Sequence, residues 1–199
     1  MDPHKHSLIS VNKRGGVIED YYKIHSFIDS TKELCSDNRH RILHNLWGVR
    51  RIVIPIFGRT IVNSDGREIL VKEICEDDHI LPDYNHRFLP NLSDFVDAIS
   101  NDYHGEISDR LNGFYENCNL PKDVQELMLS PLALTGRLKS LLFTHNSWFV
   151  NEILPRIFED YQPLLLDFEL SGSGIFQYMD YLPWMDNGII GKPKSSIQF

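Results

Sequence analysis

The sequence predicts an α+β fold, predominantly helical, with one small β-hairpin. Three observations carry this: apolar residues recurring at three- and four-residue steps, one pair of β-branched runs around an Asp-Gly turn, and only 12 Gly and 10 Pro in 199 residues. A chain of this length can bury a core without disulfides or metals to replace it. Its 42% hydrophobic and 24% charged residues are ordinary for a globular protein and exclude collagen, a linker array and disorder.

Residues 4–14 read as a first helix, ended by Gly15-Gly16. From Ile18 to Cys35, the residues Tyr21, Ile24, His25, Ile28, Thr31 and Cys35 fall on one helical face, which is expected to look inward. Ser36 or Asp37 offers an N-cap for a third helix running from Asn38 to about Phe57, where Pro55 and Gly58 end it. The segment RTIVNSDGREILVKEI, residues 59–74, reads as a hairpin turning at Asn63-Ser64-Asp65-Gly66. Residues 76–91 read as loop or short helix, and a helix begins at Ser93.

The second half reads as helices over 106–118, 122–129, 132–143 and 147–161, followed by an irregular tail, 162–199, rich in aromatics. The expected organisation is a domain over 1–100 and a helical extension over 101–199 packed into the same body. Trp47 and Trp148 are expected to be core anchors rather than substrate platforms. HNLWGVRRIVIPIFG from His44 and HNSWFVNEILPRIFE from His145 share seven of fifteen residues, which either chance between amphipathic helices or a duplicated unit explains.

The segments KHS..SV...GG, Y..IH.F.D.TK, D.RHR...HN, FG.TI.NSDG and V..I.E.H...D follow one another between His4 and Asp83. In this order they resemble an uncharacterised domain-of-unknown-function family of bacteria and their phages, over about residues 4–99. The resemblance implies a fold and a set of site positions, but no reaction.

With 20 Lys+Arg against 28 Asp+Glu, the formal charge of −8 disfavours nucleic acid as a partner. Cys35, Cys75 and Cys118 form no CxxC pair, and no apolar run suits a signal peptide or a membrane span, so a cytoplasmic setting is expected. The nine histidines are the compositional excess. His40 and His44, four residues apart on the predicted helix, could ligate a divalent metal such as Zn, Mn or Fe, joined by His25, by His79 and by Asp83 in the acidic segment ICEDDHILPD. Arg39, Arg50 and Arg51, with His40, could instead line an anion pocket. A solvated, salt-bridged helix face explains the same residues without a ligand. A further similarity is to metal-dependent phosphohydrolases of the HD type, although Asn45 follows His44 where that type carries Asp.

The favoured reading is therefore a His-cluster metal-binding protein, with hydrolysis as its candidate chemistry. The alternative is a non-enzymatic interaction or phage-structural protein that meets a protein partner, or itself, through its acidic surface and residues 162–199. No P-loop, GxSxG, Rossmann fingerprint or HExxH supports a commoner enzyme class.

Overall fold

Helix α1, Pro3–Arg14, starts where the Asp2 carboxylate accepts the Lys5 N–H and Pro3 needs no partner for the N–H it lacks. This computed structural model describes residues 1–34, 42–97, 106–146 and 148–159. The predicted Ser36-Asp37 cap, Arg39, His40 and the tail 162–199 lie outside them. The chain divides at Asn91–Leu92 into two units.

In the first unit α1 packs along α2, Ile18–Leu34, through a turn in which Gly15 and Gly16 both have positive φ, 80° and 75°. A side chain at either position would be strained. The hairpin holds this turn: Gly16 N–H donates to Asp65 Oδ2 at 2.8 Å, and Ser64 donates its N–H and hydroxyl to Asp20 at 3.0 and 2.8 Å. Strands β1, Thr60–Val62, and β2, Glu68–Leu70, pair antiparallel with Ile61 opposite Ile69. The strands are shorter than the sequence predicts. Residues 71–74 instead open helix α5, Val71–Cys75, because Val71, Ile74 and Cys75 recur at helical spacing and are all buried.

Prolines shape what surrounds them. Leu46–Phe57 runs as α3, Leu46–Gly48, a π-turn, Val49–Val53, and α4, Ile54–Phe57, with Pro55 two residues past the π-turn. Residues 71–83 run as α5, a π-turn, Glu76–Ile80, and α6, Leu81–Asp83, with Pro82 in the same place. A proline cannot donate to the carbonyl four residues back and its ring collides with it, so the preceding turn widens. The residue before each proline, Ile54 or Leu81, then bonds the carbonyl five residues back. Of the two readings of 76–91, loop or short helix, the helical one holds as far as Asp83.

The second unit repeats this local plan. Helices α8, Glu106–Asn117, and α9, Lys122–Thr135, are followed by His145-Asn146, a π-turn, Phe149–Ile153, and α10, Leu154–Ile157, with Pro155 two residues past the π-turn. A short helix α7, Leu92–Val96, precedes them, and a 3-10 turn, Leu138–Phe143, lies between α9 and His145. The predicted break near residue 130 is absent: α9 runs through Pro131, and the Ser130 hydroxyl takes the Leu127 carbonyl that the proline leaves free, at 2.7 Å. In both units the asparagine caps the next helix. Asn45 Oδ1 accepts the Gly48 N–H at 3.0 Å, and Asn146 Oδ1 accepts the Phe149 N–H at 2.9 Å. Burial at 21, 24, 25, 27 and 28 in α2 recurs at 124, 127, 128, 130 and 131 in α9. A duplicated unit would leave this pattern. Trp47 is buried and Trp148 half-buried.

Candidate metal centre

Four histidines meet inside the first unit, each carried by a different segment. His6 comes from α1, His25 from α2, His44 from the turn before α3, and His79 from the π-turn that Pro82 creates. His6, His25 and His79 are wholly buried and His44 is nearly so. The helical spacing of four then brings two carboxylates to them, Asp29 one turn after His25 and Asp83 one turn after His79.

The protonation states follow from the hydrogen bonds. The Ser10 hydroxyl donates to Asp78 Oδ2 at 3.0 Å, so its 2.9 Å contact with His25 Nε2 must be a bond donated by the imidazole. Neutral His25 then has a bare Nδ1, which accepts from His79 Nδ1 at 2.9 Å. Burial pushes His25 down to about 3 and likewise holds His79 well below its usual value, so both rings are neutral. His79 Nε2 is therefore a lone pair. His6 is oriented by another route, because Pro82 has no N–H for the Asp78 carbonyl and His6 Nδ1 donates to it at 3.0 Å. Lys13 takes the neighbouring Asp77 carbonyl at 2.9 Å.

Four donor atoms then face one another. His79 Nε2 lies 3.2 Å from His44 Nε2, 3.6 Å from Asp29 Oδ1 and 3.8 Å from Asp83 Oδ2, and His44 Nε2 lies 3.4 and 3.6 Å from the same two oxygens. Bonds of about 2.1 Å in tetrahedral array place donors about 3.4 Å apart, so these separations fit one metal ion. Two carboxylates would neutralise a dication, and mixed imidazole and carboxylate donors suit Zn, Mn or Fe(II). Burial opposes ionisation of Asp29 and Asp83, yet hydrogen bonds from His44 to both hold them well below the usual carboxylate range. The same bonds outweigh burial at His44 and raise its pKa. Without metal, a proton on His44 holds the carboxylates together, and a metal would displace it.

Behind the donors Asp78 anchors the relay. Arg14 Nε binds its Oδ2 at 2.6 Å and Lys13 Nζ its Oδ1 at 3.1 Å. Ser10→Ala is expected to weaken metal affinity 10- to 100-fold with every ligand still in place, because His25 loses the partner that fixes its tautomer and that of His79. Calorimetric titration with Zn(II) checks this, and an unchanged affinity would contradict it.

The structure thus brings together His25, His44, His79 and Asp83 from among the residues singled out in the sequence. His25 supports the site rather than facing its centre. His44 lies before the helix rather than within it, and its predicted partner His40 is outside the described residues. Arg50 and Arg51 are exposed on the π-turn, with Arg50 Nε 3.9 Å from Glu76, and Arg39 is outside the described residues. His6, Ser10 and Asp29 are not among the candidate site residues read from the sequence, whereas Asp78 stands in the acidic segment around His79. The repeated spacing His-x-x-x-Asp, at 25/29 and 79/83, was the available signal. Asn45, the departure from the HD-type pattern, is occupied as a cap, and its NH2 donates to the Ile42 carbonyl at 3.1 Å. Among the described residues the second unit keeps the plan without these ligands: by the burial match, Met128 and Leu132 stand where α2 has His25 and Asp29. His145 Nδ1 contacts the Leu141 carbonyl at 3.2 Å, and Tyr115 donates to its Nε2 at 2.8 Å.

Residues 1–104 match the family described as Domain of unknown function (DUF6915), which contains the whole cluster. The chain belongs to this family. No curated protein and no solved structure matches the chain. Among the described residues of this DUF6915 member, no helix is long and apolar enough to cross a membrane.

Proposed function

We propose that this DUF6915 chain binds a divalent transition metal through Asp29, His44, His79 and Asp83 and uses it to activate water in a hydrolytic reaction. One observation carries the reading: five separations among these four donor atoms lie between 3.2 and 3.8 Å, the spacing of a tetrahedral shell. Support for hydrolysis comes from Asp83, whose side chain keeps 15% of its surface exposed while those of Asp29, His44 and His79 keep 5% or less. Water can reach an ion on that side by expanding its coordination from four to five, and a metal lowers the pKa of bound water toward neutrality. A cytoplasmic setting in a bacterium or phage-infected cell fits Cys75, a free thiol that burial pushes far above its ordinary pKa.

Elemental analysis of untagged protein purified without chelator tests the reading. Near-stoichiometric Zn, Mn or Fe is expected, and His44→Ala is expected to remove it. A metal-free protein whose melting temperature ignores added divalent ions would overturn the proposal, since an ion that binds only the folded chain must stabilise it.

A further inference from the structure

Asp83 presents its two carboxylate oxygens to different histidines. Oδ2 faces His44 and His79, at 3.6 and 3.8 Å, whereas Oδ1 lies 3.3 Å from His6 Nε2. His6 is wholly buried, its Nδ1–H is committed to the Asp78 carbonyl, and its Nε2 has no hydrogen-bond partner. A buried imidazole nitrogen without a hydrogen-bond partner therefore lies beside a carboxylate oxygen in the protein interior, and a cation between them would satisfy both. The α-ammonium of Met1, 2.6 Å from Oδ1, already neutralises that oxygen in the metal-free chain.

The rings of His6 and His79 stack with centroids 3.8 Å apart and planes inclined by 14°. Parallel imidazoles at this distance, each with its Nε2 near one oxygen of the same carboxylate, match the separation of about 3.5–4 Å between ions in two-metal sites. We infer that the centre takes a second divalent cation, held by His6 Nε2 and Asp83 Oδ1 and bridged through Asp83 to the first. The inference rests on the metal-binding reading above. The first ion has four protein donors and the second has two, so the second binds more weakly and fills its remaining positions with water. Those exchangeable positions are where an anionic substrate oxygen would coordinate.

Chelator-stripped protein titrated with Mn(II) tests this, with bound metal counted after equilibrium dialysis and its spin state followed by electron paramagnetic resonance. Two ions per chain are expected at saturation, with the spectrum of an exchange-coupled pair. His6→Gln, whose side-chain amide can still donate to the Asp78 carbonyl, is expected to bind one uncoupled ion with the first affinity unchanged. One ion at saturation in the unaltered protein overturns the inference while leaving the metal-binding reading intact, and this arm does not depend on the variant folding. Two ions retained by His6→Gln also overturn it. No bound Mn(II), Zn(II) or Fe(II) in either protein defeats the underlying reading instead.

Discussion

Lowering the pH from 6.5 to 4.5 is expected to strip about 4–5 kcal/mol from the unfolding free energy of the chelator-treated protein. His25 and His145 are both held at about 3 by burial, against the ordinary histidine value of 6.5. Below pH 6.5 the unfolded chain takes up a proton on each that the folded chain refuses. Their stabilising effect is therefore complete above that pH and is lost as the pH falls toward 3. Two such protons give a slope of about 2.7 kcal/mol per pH unit. His79 acts in the same direction. His44 acts in the opposite one: its raised pKa keeps the proton in the folded chain, so its contribution survives in acid and disappears as the pH rises through the raised value. Urea midpoints measured across this range check the slope, and His145→Gln should remove about half of it. A flat profile between pH 6.5 and 4.5 would contradict the burial of neutral imidazoles.

The second large effect is expected from Asp29→Ala. The Asp29 carboxylate lies 3.4 Å from His44 Nε2 and 3.6 Å from His79 Nε2, with 5% of its side chain exposed. Removing it takes one of the two carboxylates from a buried imidazolium at His44, and breaking one partner of a buried pair typically costs about 3–5 kcal/mol. That is a large share of the total stability of an ordinary domain. Asp29→Asn, which keeps an acceptor oxygen and the volume, should cost less stability while still losing most metal affinity. Denaturant unfolding of both variants without metal checks the order, and a loss below about 1 kcal/mol for Asp29→Ala would show that no buried charge pair depends on it.

Local chemistry made part of this structure legible in advance. Helix α1 with its Gly15-Gly16 stop, the inward face of α2 from Tyr21 to Ile28 and the hairpin turn at Asn63–Gly66 each depend on residues close in sequence, and each stands where the spacing predicts, while Cys35 at the end of that face is outside the described residues. The hairpin's far end did not. Residues 71–74 are as β-branched as a strand, but burial of Val71, Ile74 and Cys75 decides for helix, and that is settled by what packs against them. The metal centre was half legible for the same reason. His79 and Asp83 stand out in an acidic segment, whereas His6 sits in an unremarkable helix 72 residues before the carbonyl that orients it. Asp29 looks like any polar residue on an exposed turn until α2 is docked. The π-turns were invisible to a search for helix periods, although Pro55, Pro82 and Pro155 mark all three.

The burial of these donors also bears on time. Only Asp83 keeps appreciable exposure among the four residues that would hold the first ion. An ion inside such a shell leaves by waiting for the protein to open, so its residence is governed by the free energy of local opening rather than by coordination strength alone. Affinity and lability then become separate properties. A substitution in the turn of Gly15 and Gly16, or in the hairpin that ties it down, touches no donor atom, yet by loosening α1 against α2 it would hasten exchange while leaving the shell itself intact.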